Sequence, residues 1–344
     1  MSQKNSLMHA GRLKQPYRLR NSFLIVCLFL LVLLSAIVGL GFGSAGLGFD
    51  ELFGGLLQRV GYEQETTIIY AVRLPRVLAG LIAGVGLSVS GVLLQTVTNN
   101  ALASPNIIGV NAGAGFAVIL FLFFFPMSYT MLPFAAFFGA FLTTLLILAV
   151  SHRMNSSKTT VILAGIAFTA ILNAGISFIS LLDPDVFTSY RYFSVGGFSG
   201  VGLTETGVPA VMILVCLILS MLISRRVNLL CLGDSMAASL GVRVNRLRIF
   251  CLILASASAA AVVSIAGLLG FVGLIVPHIA RRLVGSDVRW LLPVSALTGA
   301  ALVVLSDMLG RVLFAPTELP VGIILSLLGA PFFFFLLLKR KTDV

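Results

Sequence analysis

Apolar residues run in long unbroken stretches along this chain, separated by short polar punctuation. A membrane-spanning helix needs about 20 mostly apolar residues. Ten runs approach or meet that length: 22–42, 77–98, 107–125, 131–150, 160–182, 206–224, 246–268, 271–281, 290–310 and 320–338. The eighth is short for a full crossing. It reads as a half-helix or broken helix that starts near Gly270 and is interrupted at Pro277, because proline lacks a backbone donor. The pattern predicts an all-α polytopic membrane protein of about ten transmembrane helices. It divides into a basic tail at 1–21, one transmembrane unit at 22–338 with a loop at 228–241, and a short tail at 339–344.

Composition agrees with the pattern and narrows the class. The 344 residues are 58% hydrophobic and 10% charged, with a mean hydropathy of +1.08. An ordinary soluble domain carries roughly 25% charged residues. A cytosolic enzyme, a disordered chain and a secreted disulfide scaffold are excluded on this ground. The four cysteines, Cys27, Cys216, Cys231 and Cys251, have no metal-ligand spacing and read as soft core residues. The uncharged stretch from Asn21 to Phe49 is too long for the roughly 7–15-residue core of a signal peptide. It reads as a retained first span.

The net charge of +11 could signal nucleic acid, acidic lipid or topology. Its placement decides. With ten spans and both termini cytoplasmic, eighteen of the 23 cations fall inside, as the positive-inside rule requires. The other five, Arg59, Arg73, Arg76, Arg191 and Arg311, fall outside. The charge is therefore mostly a topology signal, and nucleic-acid binding is not expected. No P-loop is present, so any ATP-driven work needs a separate ATPase polypeptide.

Four segments carry more information than their hydrophobicity. Arg73-Leu74-Pro75-Arg76 is a stiff cationic pair at the outer end of the second span, and Arg311 is a third external arginine. They read either as interfacial snorkelling groups or as ion-pair partners for an external acidic protein. Gly84–Gly115 is rich in small residues that allow close helix approach. Gln95, Asn99, Asn100 and Asn106 lie toward its inner end, followed or flanked by non-helical backbone near Pro105. Asn228–Gly241 is apolar for an internal loop; Asp234 or Ser235 can cap a short helix in it and Gly241 can end it. It reads as a docking helix or as one lying on acidic lipid. Ala266–Arg281 holds Gly267, Gly270, Gly273, Pro277 and His278. The histidine has no second metal-ligating residue nearby and reads as a hydrogen-bonded structural group.

Asp307 is the one carboxylate inside a predicted span, near its outer end. Ion-coupled carriers bury carboxylates mid-membrane, so a secondary carrier is disfavoured. No catalytic constellation is visible: His9, His152 and His278 are scattered. A weak echo between 88–109 and 264–285 suggests an inverted repeat.

These residues resemble the FecCD-type permease subunits of type II ABC importers, which serve ferric siderophores, haem and cobalamin. The resemblance spans about 20–340. Its markers are RLPR at 73–76, SGVLLQ at 90–95, SPNIIGVNAGAG at 104–115 and LAGIA at 163–167. NLLCLGDSMAASLGV at 228–242, GFVGLIVPHIARRLVGSD at 270–287, LLPVSALTGA at 291–300 and ELPVGIILSLLGAPFFFFLLLKR at 318–340 complete them. The resemblance implies a multi-pass protein of a bacterial or archaeal cytoplasmic membrane. It implies a permease homodimer, or a heterodimer with a related permease. Two cytoplasmic ATPases would hold the ATP and Mg, and an extracytoplasmic substrate-binding lipoprotein would deliver an iron chelate, a ferric siderophore before haem or cobalamin. This chain would be no enzyme and would hold no cofactor or metal.

The resemblance also implies site residues. Arg73, Arg76 and Arg311 would meet glutamates of the binding protein. Asn228, Leu229, Leu232, Gly233, Asp234, Ala237, Leu240 and Gly241 would couple to the ATPase. Asn100, Leu102, Thr159 and Thr160 would narrow the translocation path. The chain departs from the family's Asn-Pro-Leu-Ala-Asp/Glu-Pro loop at Ala101 and Ser104. It also lacks a tryptophan common before the Gly-Gly turn, where Phe193 and Ser194 stand.

Overall fold

The computed structural model describes all residues except 1, 45, 127, 154–157 and 342–344. Side chains are also left undescribed at 2–18, 152, 153, 158, 159, 336, 337 and 339–341. Among the described residues the secondary structure is helical throughout.

Each of the ten apolar runs becomes one helix. They are α1 (Ser2–Gly41), α4 (Leu74–Thr98), α5 (Val110–Phe124), α6 (Leu132–Arg153), α7 (Lys158–Leu182), α9 (Leu203–Leu230), α11 (Val244–Ala266), α12 (Val272–Val284), α13 (Val288–Val312) and α14 (Val321–Lys341). Among the described residues seven helical segments are long and apolar enough to cross a membrane; α5 and the apolar part of α14 are shorter. Between them lie α2 (Phe49–Leu56), α3 (Glu63–Thr67), α8 (Pro184–Val195) and α10 (Asp234–Ser239). A wide π turn at Ile68–Arg73 joins α3 to α4. The basic stretch expected as a separate tail is continuous with α1.

The core forms around α4. Its small residues let α13, α11, α12 and α9 close on it. A Cβ on Gly84 would collide with the carbonyl of Gly299 in α13. One on Gly91 would collide with the carbonyl of Gly273 in α12. Ser258 of α11 donates to the Gly86 carbonyl at 2.9 Å, which fixes a third neighbour. Small residues are the usual means of close helix packing where lipid supplies no hydrophobic drive.

α12 corrects one expectation. Pro277 is expected to interrupt the eighth run, yet the helix continues through it. The physical reason is a borrowed donor. Proline cannot donate to the carbonyl four residues earlier, which is Gly273. The Gln95 Nε2 of α4 reaches the Gly273 oxygen at 3.2 Å and the Leu274 oxygen at 3.4 Å. Arg281 Nη1 donates to Gln95 Oε1 at 2.6 Å and orients the amide. The break lies earlier, at Gly267–Phe271, where Gly267 takes φ +66° and the chain packs on the residues after α8.

The bundle has two distinct ends. One carries both described chain ends, the loop around α10, and Arg225, Arg226, Arg243, Arg246, Arg281, Arg282 and Arg289. The other carries Arg73, Arg76, Arg311 and the α13–α14 turn. The first, cation-rich, is the cytoplasmic end by the positive-inside rule.

Candidate functional site

The external arginines are not free surface cations. Arg73, Arg76 and Arg311 are 3%, 5% and 2% exposed. Arg76 Nε lies 3.0 Å from Asp307 Oδ1, and Arg311 Nε lies 3.1 Å from Asp307 Oδ2. Arg76 Nη1 reaches Glu318 Oε2 at 2.6 Å. The Ser44 hydroxyl donates to the other Glu318 oxygen at 2.6 Å.

The same cations finish α1. The last carbonyls of a helix lack intrahelical donors and sit at the negative end of its dipole. Arg73 Nη1 donates to Leu40 O and Gly41 O, both at 2.7 Å. Arg311 Nη2 donates to Gly39 O at 3.0 Å. The cluster therefore ties α1, α4, α13 and the α13–α14 turn together. Burial opposes the Glu318 charge, but the Ser44 hydroxyl and Arg76 outweigh it and hold the carboxyl below its ordinary value of 4.5.

This arrangement corrects the picture of an exposed cationic docking pair. Arg76→Glu would set a carboxylate against Asp307 and Arg73→Glu would unfinish α1, so the double reversal would disturb the fold as well as any docking. Sequence reading placed Asp307 near the outer end of its span but did not connect it to the arginines. The Asp307–Arg311 spacing of i, i+4 on a helix was the available signal.

At the opposite end the loop after α9 turns through Gly233, at φ +97°, into α10, and leaves through Gly241, at φ +82°. Both values favour glycine. Ala237 is fully buried against the bundle, and Arg248 Nη2 holds Asp234 Oδ2 at 2.7 Å. The other face is bare: Leu232, Met236 and Leu240 are 60%, 54% and 56% exposed. Met236 lies on α10, with Leu232 and Leu240 in the turns before and after it, so the loop presents three bare apolar side chains. Leu229 and Asn228 turn inward rather than joining them. Asn228 Nδ2 donates to Asp287 Oδ1 at 2.7 Å, and its Oδ1 accepts from the Val288 N–H at 2.8 Å. Leu229 is half-buried against the core. The Asp287 carboxyl is held below its usual range by Arg289 hydrogen bonds, against burial and with help from Asn228.

Of the expected gate residues, Asn100 and Leu102 share one turn, where Asn100 Oδ1 accepts from the Leu102 N–H at 3.0 Å. That turn leads into a 3₁₀ turn at Pro105–Ile108, which packs on Gly165 of α7. Thr160 is half-buried at the start of α7, and the Thr159 side chain lies outside the described residues. His278 does not make the hydrogen bond expected of it at Nε2; its ring packs edge-on against Phe332, with centroids 6.0 Å apart. Among the described residues no group of metal-ligating side chains is found.

Fold and site together define a helical membrane permease with a dressed outer end and an exposed helix on the inner one. The chain belongs to the FecCD transport family, whose profile matches residues 28–339. It is 35% identical over 318 residues to the Fe(3+)-citrate import system permease protein YfmE of Bacillus subtilis, covering 92% of this chain and 94% of that one. It is 36% identical over 327 residues to the hemin transport system permease protein HmuU of Yersinia pestis, covering 92% and 96%. A solved structure of a metal-chelate type ABC transporter in an inward-facing conformation superposes with a TM-score of 0.81. That match has 32% identity and covers 92% of this chain and 98% of that one.

Proposed function

We propose that this chain is the permease subunit of a binding-protein-dependent ABC importer in a bacterial or archaeal cytoplasmic membrane, and that it passes a ferric siderophore or similar iron chelate inward. The observation that carries this reading is the family match over residues 28–339. ATP and Mg are held by two separate ATPase subunits. The trio Leu232, Met236 and Leu240 is the surface that enters each ATPase, since an exposed apolar face of this kind is a docking surface. Gly233 and Gly241 set its two turns, and Ala237 and Asp234 seat it.

The buried arginines enter this reading as braces of the external docking face rather than as its contact points. They fix α1, α4 and the α13–α14 turn, on which a substrate-binding lipoprotein would sit. The permease pairs with a second copy or a related permease through α7, whose most apolar window is only 11% buried. Its exposed Asn173 is ill suited to lipid and suits a face that meets another subunit or a water path. The 100–102 turn and the start of α7 at Thr159 and Thr160 form the inner constriction of that path. Haem is the second substrate reading, favoured by the haemin-permease relative.

The test is reconstitution of this chain with the ATPase and binding lipoprotein encoded beside it. Uptake would be followed for ferric citrate, a ferric hydroxamate, a ferric catecholate, haemin and cobalamin. ATP-dependent uptake of a ferric chelate is expected. Uptake driven by an ion gradient without any ATPase would overturn the reading.

A further inference from the structure

The bare apolar side chains in and beside α10 explain how a partner could grip the inner loop, but not how its movement would reach the helices. α10 is one and a half turns long and is bounded by two left-handed glycines, so the loop alone would bend instead of pushing. Three anchors join it to the bundle. Ala237 is buried, Arg248 holds Asp234, and Asn228 grips the start of α13.

The third anchor differs from the others in kind. Asp287 caps α13 from its own chain position, accepting from the Arg289 N–H at 3.0 Å. Asn228, on the last turn of α9, supplies a second cap from outside the helix by accepting from the Val288 N–H. Its amide then closes the bracket onto Asp287. The joint thus seizes the first residues of a helix of 25 residues that runs through Pro293, about 37 Å long at 1.5 Å per residue. Asp307 and Arg311, which brace the outer end, lie on that same helix. Both bracket residues are half-buried at the inner surface, and Asn228 lies three residues before the turn that leads to α10.

We propose that the Asn228–Asp287 bracket is the joint that passes displacement of α10 to α13, making both residues positioning residues for transport. This rests on the reading of α10 as the ATPase-docking helix. An element seized at one end and braced at the other is one physical route for such transmission. The geometry also gives a reciprocal test. Asn228→Asp sets two carboxylates against each other and opens the bracket. Combining it with Asp287→Asn restores it, because the new amide can donate to the new carboxylate. Asparagine also remains a good helix cap, and the carboxylate introduced at position 228 can still accept from the Val288 N–H.

The experiment uses the whole reconstituted importer, with whichever of the five chelates above the wild type carries. The readout is ATP hydrolysed per chelate imported. Asn228→Asp is expected to raise this ratio roughly tenfold, within the usual range of coupling between sites. The double variant should return it to within about twofold of wild type, as expected when one pair carries the interaction. A loss of folding alone would lower hydrolysis and import together without changing the ratio. An unchanged ratio in Asn228→Asp, or a raised one that the double variant fails to restore, overturns the bracket. Leu232→Asp separates this from the underlying reading. If that variant assembles and transports as wild type, the docking role of α10 fails. If it loses ATPase association while Asn228→Asp behaves normally, only the bracket fails.

Discussion

The two ends of the bundle each invert the usual rule of burial, in opposite directions. At the outer end three arginines and Asp307 are withdrawn from solvent. At the inner end Leu232, Met236 and Leu240 stand in it. The buried charges are paired: each guanidinium meets a carboxylate or the bare carbonyls of α1. The apolar side chains are left uncovered by the described residues. A buried charge with its partners in place is a finished structural joint, whereas an exposed apolar surface on a seated loop is an unfinished one. Stability should therefore depend on the outer end, and assembly on the inner.

That contrast can be broken by mutation. The largest loss of stability is expected from Asp307→Ala, which removes the buried carboxylate shared by Arg76 and Arg311 at a cost of about 3–5 kcal/mol. Thermal and denaturant unfolding in detergent would measure it. A shift under about 1 kcal/mol, the scale of a surface pair, would mean that water reaches the cluster. Next comes Gln95→Leu, which leaves the Gly273 carbonyl without its borrowed donor and Arg281 without its acceptor. A cost of about 1–3 kcal/mol is expected. Faster hydrogen exchange confined to α12 and the inner end of α4 would locate it.

Glu318 gives a smaller effect with a definite sign. Its carboxyl is held below the ordinary value of 4.5, so its contribution is present above that value and fades as pH falls below it. The difference in unfolding midpoint between wild type and Glu318→Gln should be visible at neutral pH and shrink in the acid range. A difference that grows on acidification would contradict the assigned partners. Smallest of all is Leu232→Ser, which should change stability by no more than about 0.5 kcal/mol, as for an exposed site. The same variant should fail to retain the ATPase subunits in a pull-down. Marked destabilisation with intact assembly would reverse the roles assigned to the two ends.

The helices were legible because their signal is long-range in composition and local in sequence. A run of twenty apolar residues has few alternatives, and all ten runs became helices. The α10 loop was legible for a related reason, since two glycines and an apolar period suffice to place a short exposed helix. The arginine cluster was not. Arg76 and Glu318 are 242 residues apart, and nothing in either neighbourhood indicates that they meet. Exposure was inferred for Arg73 and Arg76 from topology alone, which fixes the side of a membrane but not whether a residue there faces water. Pro277 shows the same gap. Proline predicts a missing donor correctly, but whether the helix breaks depends on Gln95, far away on another helix.

That borrowed donor has a mechanical consequence. A helix that completes its own ladder can slide past its neighbours at the cost of side-chain contacts only. α12 cannot, because one rung of its ladder belongs to α4. Pulling the two apart reopens α12 at Gly273, while the backbone contact at Gly91 leaves no slack for a shear. Any change of shape in this permease should therefore carry α4 and α12 as a single rigid body, with flexure falling at Gly267–Phe271, where the ladder is already open.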